Sequence, residues 1–253
     1  MSDFLPDCRL AEVVPSPNHG ERVAVDRPDI LLLHYTGMPS ADAAQAWLCN
    51  AESEVSSHYL VHEDGRIVQM VPEARRAWHA GKSFWAGETD INSRSIGIEI
   101  ANPGHPAGLP DYPDKQIDAL IELCLDCVKR HGIPAERVLA HSDVAPVRKV
   151  DPGENFPWVR LAAAGVGHWV EPAPLGGGRF FQTGDRGQPV EALQSMLSLY
   201  GYDIDITGEF CEKTAGVVTA FQRHFRPVRV DGVADSSTIE TLHRLLVALP
   251  RYC

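Results

Sequence analysis

Ile30-Leu31-Leu32-Leu33-His34-Tyr35-Thr36-Gly37 is the stretch that decides the architecture. Four aliphatic residues in a row, halted at Thr-Gly, read as a strand buried on both faces. Such strands sit inside sheets covered by helices on either side. This one ends on an imidazole, which an apolar strand has no reason to carry. Working outward, Ala41 to Cys49 has the alanine-rich spacing of a helix. His58 to Val71 reads as two strands joined through Asp64-Gly65, a tight-turn dipeptide. Ser95-Ile96-Gly97-Ile98-Glu99-Ile100 is a second central strand. Pro113 to Arg130 reads as a helix, with apolar residues at 117, 120, 121, 124, 125 and 128 and a stop at Gly132 and Pro134. Val138-Leu139-Ala140 then runs straight into His141. The expected fold is α/β, a mixed central sheet flanked by helices.

The pattern changes after residue 168. Val170-Glu-Pro-Ala-Pro-Leu-Gly-Gly-Gly178 is rich in Pro and Gly and reads as a linker. Beyond it, Gly208-x5-Thr214 and Gly232-x5-Thr238 form a weak internal repeat, each glycine closing a turn ahead of a helix. The expected organisation is therefore a catalytic region over 1–168, a linker over 169–179 and a small all-α, three-helix region over 180–253.

Composition narrows the function classes. A formal net charge of −11 on 253 residues excludes a nucleic-acid binder that works by neutralising phosphates. The absence of a long apolar run excludes a membrane-spanning helix. Met1-Ser-Asp-Phe-Leu-Pro-Asp-Cys8 lacks the basic and apolar regions of a secretory signal, so the expected location is the cytoplasm, with the periplasm or cell envelope as the alternative. Nothing demands more than a monomer. The six cysteines form no framework. Cys124 and Cys127 resemble a redox CxxC but lie mid-helix, where core thiols are expected rather than an activated pair.

The chemistry gathers around His141-Ser-Asp-Val-Ala-Pro-Val-Arg-Lys149-Val-Asp151-Pro-Gly153. Two imidazoles, His34 and His141, and the Asp151 carboxylate make a three-ligand set of the kind hydrolytic zinc sites use, with the fourth position left for water. Each residue alone has a plainer reading. His34 could be a satisfied strand-end residue, Asp151 a turn former before Pro152, and Lys149 a solvated charge. Glu99 tips the balance. A carboxylate in the middle of Ile-Gly-Ile-Glu-Ile costs several kcal/mol to bury unless a cation or a reacting water is its partner. The same burial raises its pKa towards that of a useful general base.

In order along the chain stand Leu33-His34-Tyr-Thr, Val55-Ser-Ser-His58-Tyr, Asp64-Gly-Arg-Ile-Val-Gln, Arg76-Ala-Trp78-His79-Ala-Gly81, Ser95-Ile-Gly-Ile-Glu99 and His141 to Gly153. Together they resemble the zinc-dependent N-acetylmuramoyl-L-alanine amidases, the amidase-2 or peptidoglycan-recognition-protein-like family. Residues beyond 180 resemble a type-1 peptidoglycan-binding region. The resemblance implies one Zn2+ per chain on His34, His141 and Asp151, with Glu99 activating water and Lys149 stabilising the oxyanion. It implies a peptidoglycan or muropeptide substrate, cut between the lactyl group of muramic acid and L-alanine. Tyr35, Trp78, His79 and Asn102 are the expected substrate contacts, and His58 is expected to be structural. A non-catalytic receptor of the same fold and a zinc peptidase acting within the stem peptide remain alternatives. Intact wall and soluble anhydromuropeptide are both open as substrates.

Overall fold

The structure is a computed structural model that describes residues 4–250. Cys253 lies outside the described residues. Ala11–Val13 (β1), His19–Glu21 (β2) and Ile30–Tyr35 (β3) are followed by helix Ala41–Leu48 (α1). Next come Tyr59–Val61 (β4), Ile67–Gln69 (β5), Arg75–Ala77 (β6), the short helix Ile91–Arg94 (α2) and Ser95–Ile100 (β7). Asp114–His131 (α3), Val138–Ala140 (β8), His141–Val144 (α4) and Trp158–Ala163 (α5) complete the first part. Three helices follow, Gln188–Tyr200 (α6), Glu212–Phe225 (α7) and Ser236–Val247 (α8).

Six strands form one sheet in the order β1-β5-β4-β7-β3-β8, and β2 pairs with β6 apart from it. β3 runs parallel to both β7 and β8, while β4 and β5 are antiparallel, so the sheet is mixed as expected. The antiparallel pair is the anticipated hairpin, with Gly65 in its turn at φ +91. A Cβ at Gly65 would approach the Lys115 carbonyl oxygen to 2.9 Å, so the turn packs directly on α3.

Side chains alternate across the sheet. On one face Leu31, Leu33, Ile96, Ile98 and Val138 pack against Ile117, Leu120 and Cys124 of α3 and Leu161 of α5. The α3 stripe is rotated from the expected one. Leu123 and Cys127 are fully buried, whereas Leu125 is 40% exposed, so the buried line runs 117-120-124-127. Cys124 and Cys127 are both in this core, where burial pushes their thiols up, the opposite of an activated pair.

On the other face Ile30, Leu32 and Leu139 share a core with Leu197, Phe221 and Leu245 of the three C-terminal helices. Those helices meet the sheet largely through α4, which packs against β8 and β3 on one side and α7 on the other. Trp169 and Val170 pack into the same core, and Ala173 is tied to α8 by hydrogen bonds with Thr241 and Ser237. At the junction, Gly201 (φ +143) leaves no room for a side chain, since a Cβ there would lie 2.7 Å from the Trp85 ring. Among the described residues no helix is long and apolar enough to cross a membrane.

Candidate active site

The register of the sheet assembles the site. His34 on β3 is the direct partner of Glu99 on β7, so both side chains leave the same face of adjacent strands, at their carboxyl ends. β8 lies on the other side of β3 and delivers His141 as the first residue of α4. The loop after α4 returns Asp151 to the same place, with the Ser142 N–H donating to the Asp151 carbonyl at 3.0 Å. Crevices at the carboxyl ends of such strands are where α/β sheets bind ligands.

His34 Nδ1, His141 Nδ1 and Asp151 Oδ2 form a triangle with edges of 2.9, 2.9 and 3.2 Å. The edge of a tetrahedron around an ion with bonds of about 2.0 Å is about 3.3 Å. Proton positions agree with this geometry. His141 Nε2 lies 3.0 Å from the Ala80 carbonyl, which can only accept, so Nε2 carries the proton and Nδ1 presents a lone pair. The carboxylate presents lone pairs as well. All three residues are buried, away from water that could separate them. Such a convergence of acceptors is repulsive until a cation sits among them, and the donor set fits zinc.

Electrostatics divide the neighbouring groups. Burial, then the nearby His141, lowers the His34 pKa to about 4. Glu99 goes the other way. Burial and then the Asp151 charge raise it well above its ordinary value, and Lys149 offsets only part of the rise. Its Oε2 is buried with no hydrogen-bond partner among the described residues. A deep carboxyl oxygen without a partner, on a residue that shares a cleft with His34, His141 and Asp151, adds nothing to stability and is a feature of functional sites.

These residues share a cleft of about 430 Å3. Lys149, Trp78 and Tyr35 line it, and Trp47 of α1 lines it too. One expected substrate contact is corrected. The Asn102 side chain is buried and committed to its own loop, accepting from Gly104 N–H at 2.8 Å and donating to the Pro110 carbonyl at 2.9 Å, so it does not face the cleft. His79 contributes to the wall, but both its ring nitrogens point inward, at 3.0 Å from His34 Nε2 and 3.2 Å from Ser95 Oγ. His58 is structural as expected, with Nδ1 accepting from the Gly97 N–H at 2.9 Å.

Sequence reasoning missed Trp47, whose signal was an aromatic on the polar side of a short alanine-rich helix. It also missed the chain behind Tyr35, whose hydroxyl lies 3.0 Å from His105 Nδ1. His105 Nε2 is in turn 3.1 Å from Glu154, which pairs with Arg223 of α7. Nothing local in the sequence links residues so far apart.

Residues 24–154 match the family model described as N-acetylmuramoyl-L-alanine amidase. The chain belongs to this amidase family. Residues 186–242 match a second model, described as a putative peptidoglycan binding domain. Over 242 residues the amidase is 40% identical to N-acetylmuramoyl-L-alanine amidase AmiD of Escherichia coli, covering 89% of this chain and 84% of that one. The solved complex of AmiD with anhydro-N-acetylmuramic acid-L-Ala-D-gamma-Glu-L-Lys superposes with a TM-score of 0.75 at 39% identity, covering 89% and 91% of the two chains. AmpDh3 of Pseudomonas aeruginosa, solved in complex with an anhydromuramic pentapeptide, gives a TM-score of 0.69 at 30% identity over 98% of each chain. The likeness to both extends across the sheet and the C-terminal helices.

Proposed function

We propose that this chain is a zinc-dependent amidase that separates N-acetylmuramic acid, or its anhydro form, from the L-alanine of the stem peptide. The observation that carries the proposal is the triangle of His34, His141 and Asp151 beside the unpartnered Glu99 oxygen, at the base of one cleft. Held by those three residues, one zinc ion would supply a Lewis acid that acidifies water and polarises the scissile carbonyl. Glu99 takes a proton from the attacking water and passes it to the departing L-alanine nitrogen. Lys149 donates to the carbonyl oxygen as negative charge develops there. Trp78 and Tyr35 form the cleft wall against which the sugar and peptide lie. A receptor that binds without hydrolysis would have no use for a buried, unpaired carboxyl at this point.

The region over 180–253 we read as a wall-binding unit held firmly on the amidase rather than swinging on a linker. Its shared core with the sheet supports this. A wall-binding unit raises the local concentration of a polymer and adds little for a small soluble fragment. The test is mass spectrometry of products from a soluble anhydromuropeptide and from intact sacculi. Release of a stem peptide with a free L-alanine amine supports the amidase. Cleavage confined to bonds inside the stem peptide would replace it with a peptidase. Relative rates on the two substrates then measure what the C-terminal helices contribute.

A further inference from the structure

Behind the metal ligand His34 stands a line of hydrogen bonds with only one consistent set of protons. Ser95 Oγ donates its single proton to the Ile91 carbonyl at 2.6 Å. Towards His79 Nε2, at 3.2 Å, Ser95 can therefore only accept, so that nitrogen carries a proton. His79 Nδ1 is left as the acceptor for His34 Nε2–H at 3.0 Å. His34 Nδ1 then has a free lone pair, and it is this atom that meets His141 and Asp151. In the opposite tautomer, His34 Nδ1–H would point at Asp151 and leave no lone pair for a cation.

The surroundings hold the His79 ring in this setting. A Cβ at Gly97 would lie 2.6 Å from three His79 ring atoms, so the ring lies against bare β7 backbone. The His34 and His79 rings meet edge to face, their centroids 5.1 Å apart and their planes at 86°. Asn92 Oδ1 accepts the backbone N–H groups of both His79 and Ala80, pinning the segment that carries the ring.

We propose that His79, backed by Ser95 and given room by Gly97, is a positioning residue that fixes the His34 tautomer and so makes the site ready for metal. It acts through His34 and touches neither metal nor substrate for this purpose. The inference rests on reading His34, His141 and Asp151 as the zinc site. Outer partners of this kind set ligand orientation and are worth roughly 10- to 100-fold in metal affinity.

The test uses the full chain, stripped of metal, titrated with zinc against a chromophoric chelator. His79→Phe keeps a ring but removes the acceptor, whereas His79→Asn places an oxygen near the former Nδ1. The expected result is a loss of roughly 10- to 100-fold for Phe, with most of it restored by Asn. Equal affinities for wild type and Phe, or equal losses in both variants, would overturn the proposal, the second by showing a packing role alone. Long-range 1H–15N spectra of the metal-free wild type need no substitution to fold. They should place the His34 proton on Nε2, and finding it on Nδ1 would overturn the proposal. If the wild type binds no zinc, the site reading fails; if it binds zinc as tightly as His79→Phe, only this inference fails.

Discussion

One face of one sheet does two different jobs along the length of β3. At the amino end, Ile30 and Leu32 are fully buried in the core that the sheet shares with the C-terminal helices. Two residues further, His34 leaves the same face into an open cleft with Glu99 and Lys149. The period-two alternation is unbroken; only what lies above it changes. Stability is supplied where the face is covered. Chemistry is possible where the cover stops, because unpaired polar groups need a space that no side chain fills.

The border between the halves is α4, and it belongs to both. It begins with His141 and carries Asp143 two residues on. Asp143 is fully buried and accepts from Tyr202 Oη at 2.7 Å, from His224 Nδ1 at 2.7 Å and from the Ala140 N–H at 2.8 Å. His224 also stacks on Trp158, ring centroids 3.7 Å apart. The C-terminal helices thus clamp the element that presents His141. A region that reads as a separate wall-binding unit is at the same time part of the scaffold of the site.

The contrast can be broken from the covered side. Leu32→Ala opens a cavity in the core that the sheet and the C-terminal helices share and should cost about 3 kcal/mol in denaturant unfolding, with zinc affinity changed less than about threefold. Equal damage to both would mean that the two halves are not separable. The opposite face of the sheet offers a comparison in which a charge, not a cavity, decides stability. Burial alone would raise the Glu73 carboxyl, but hydrogen bonds from Arg130, His131 and Tyr59 outweigh it and hold it well below the usual carboxylate range. The unfolded chain takes up that proton near pH 4 to 5, by ordinary carboxylate values of about 4.3. Glu73 therefore contributes stability fully above that range and loses it as pH falls towards the lower folded value. Melting temperature should drop between about pH 5 and pH 3, and Glu73→Gln should flatten that slope. An unchanged slope would assign acid sensitivity to other carboxylates. The smallest effect lies at the border. Tyr202→Phe removes one hydrogen bond to Asp143 and should cost about 1 to 2 kcal/mol. A loss under a few tenths would show that the clamp is held by His224 and packing.

Much of this was legible in the sequence because it depends on local signals. The apolar run at 30–33, the Asp64-Gly65 turn and the glycine stop after α3 each reflect short-range sterics, and all appear in the structure. His34, His141, Asp151 and Glu99 could be read because each breaks its local pattern. The phase of α3 could not be read, since Leu125 is as apolar as Leu123 and only tertiary packing selects between them. The Pro/Gly stretch near residue 175 says that no helix forms there, and nothing about what its neighbours touch. The inward aim of the His79 ring could not be read for a related reason. A histidine that only lines a cleft and one that also reaches His34 have the same sequence neighbours, and they differ in where Gly97 leaves space.

The most direct measurement on the open half is a paired determination on Glu99→Gln, of zinc content by mass spectrometry and of turnover on an anhydromuropeptide. Glutamine keeps the size of the side chain but cannot take the proton, and Glu99 is outside the His34–His141–Asp151 triangle. Zinc should be retained near one per chain, with turnover lower by roughly 100- to 10,000-fold. Near wild-type turnover would contradict Glu99 as the base, and loss of zinc together with activity would make it a ligand instead.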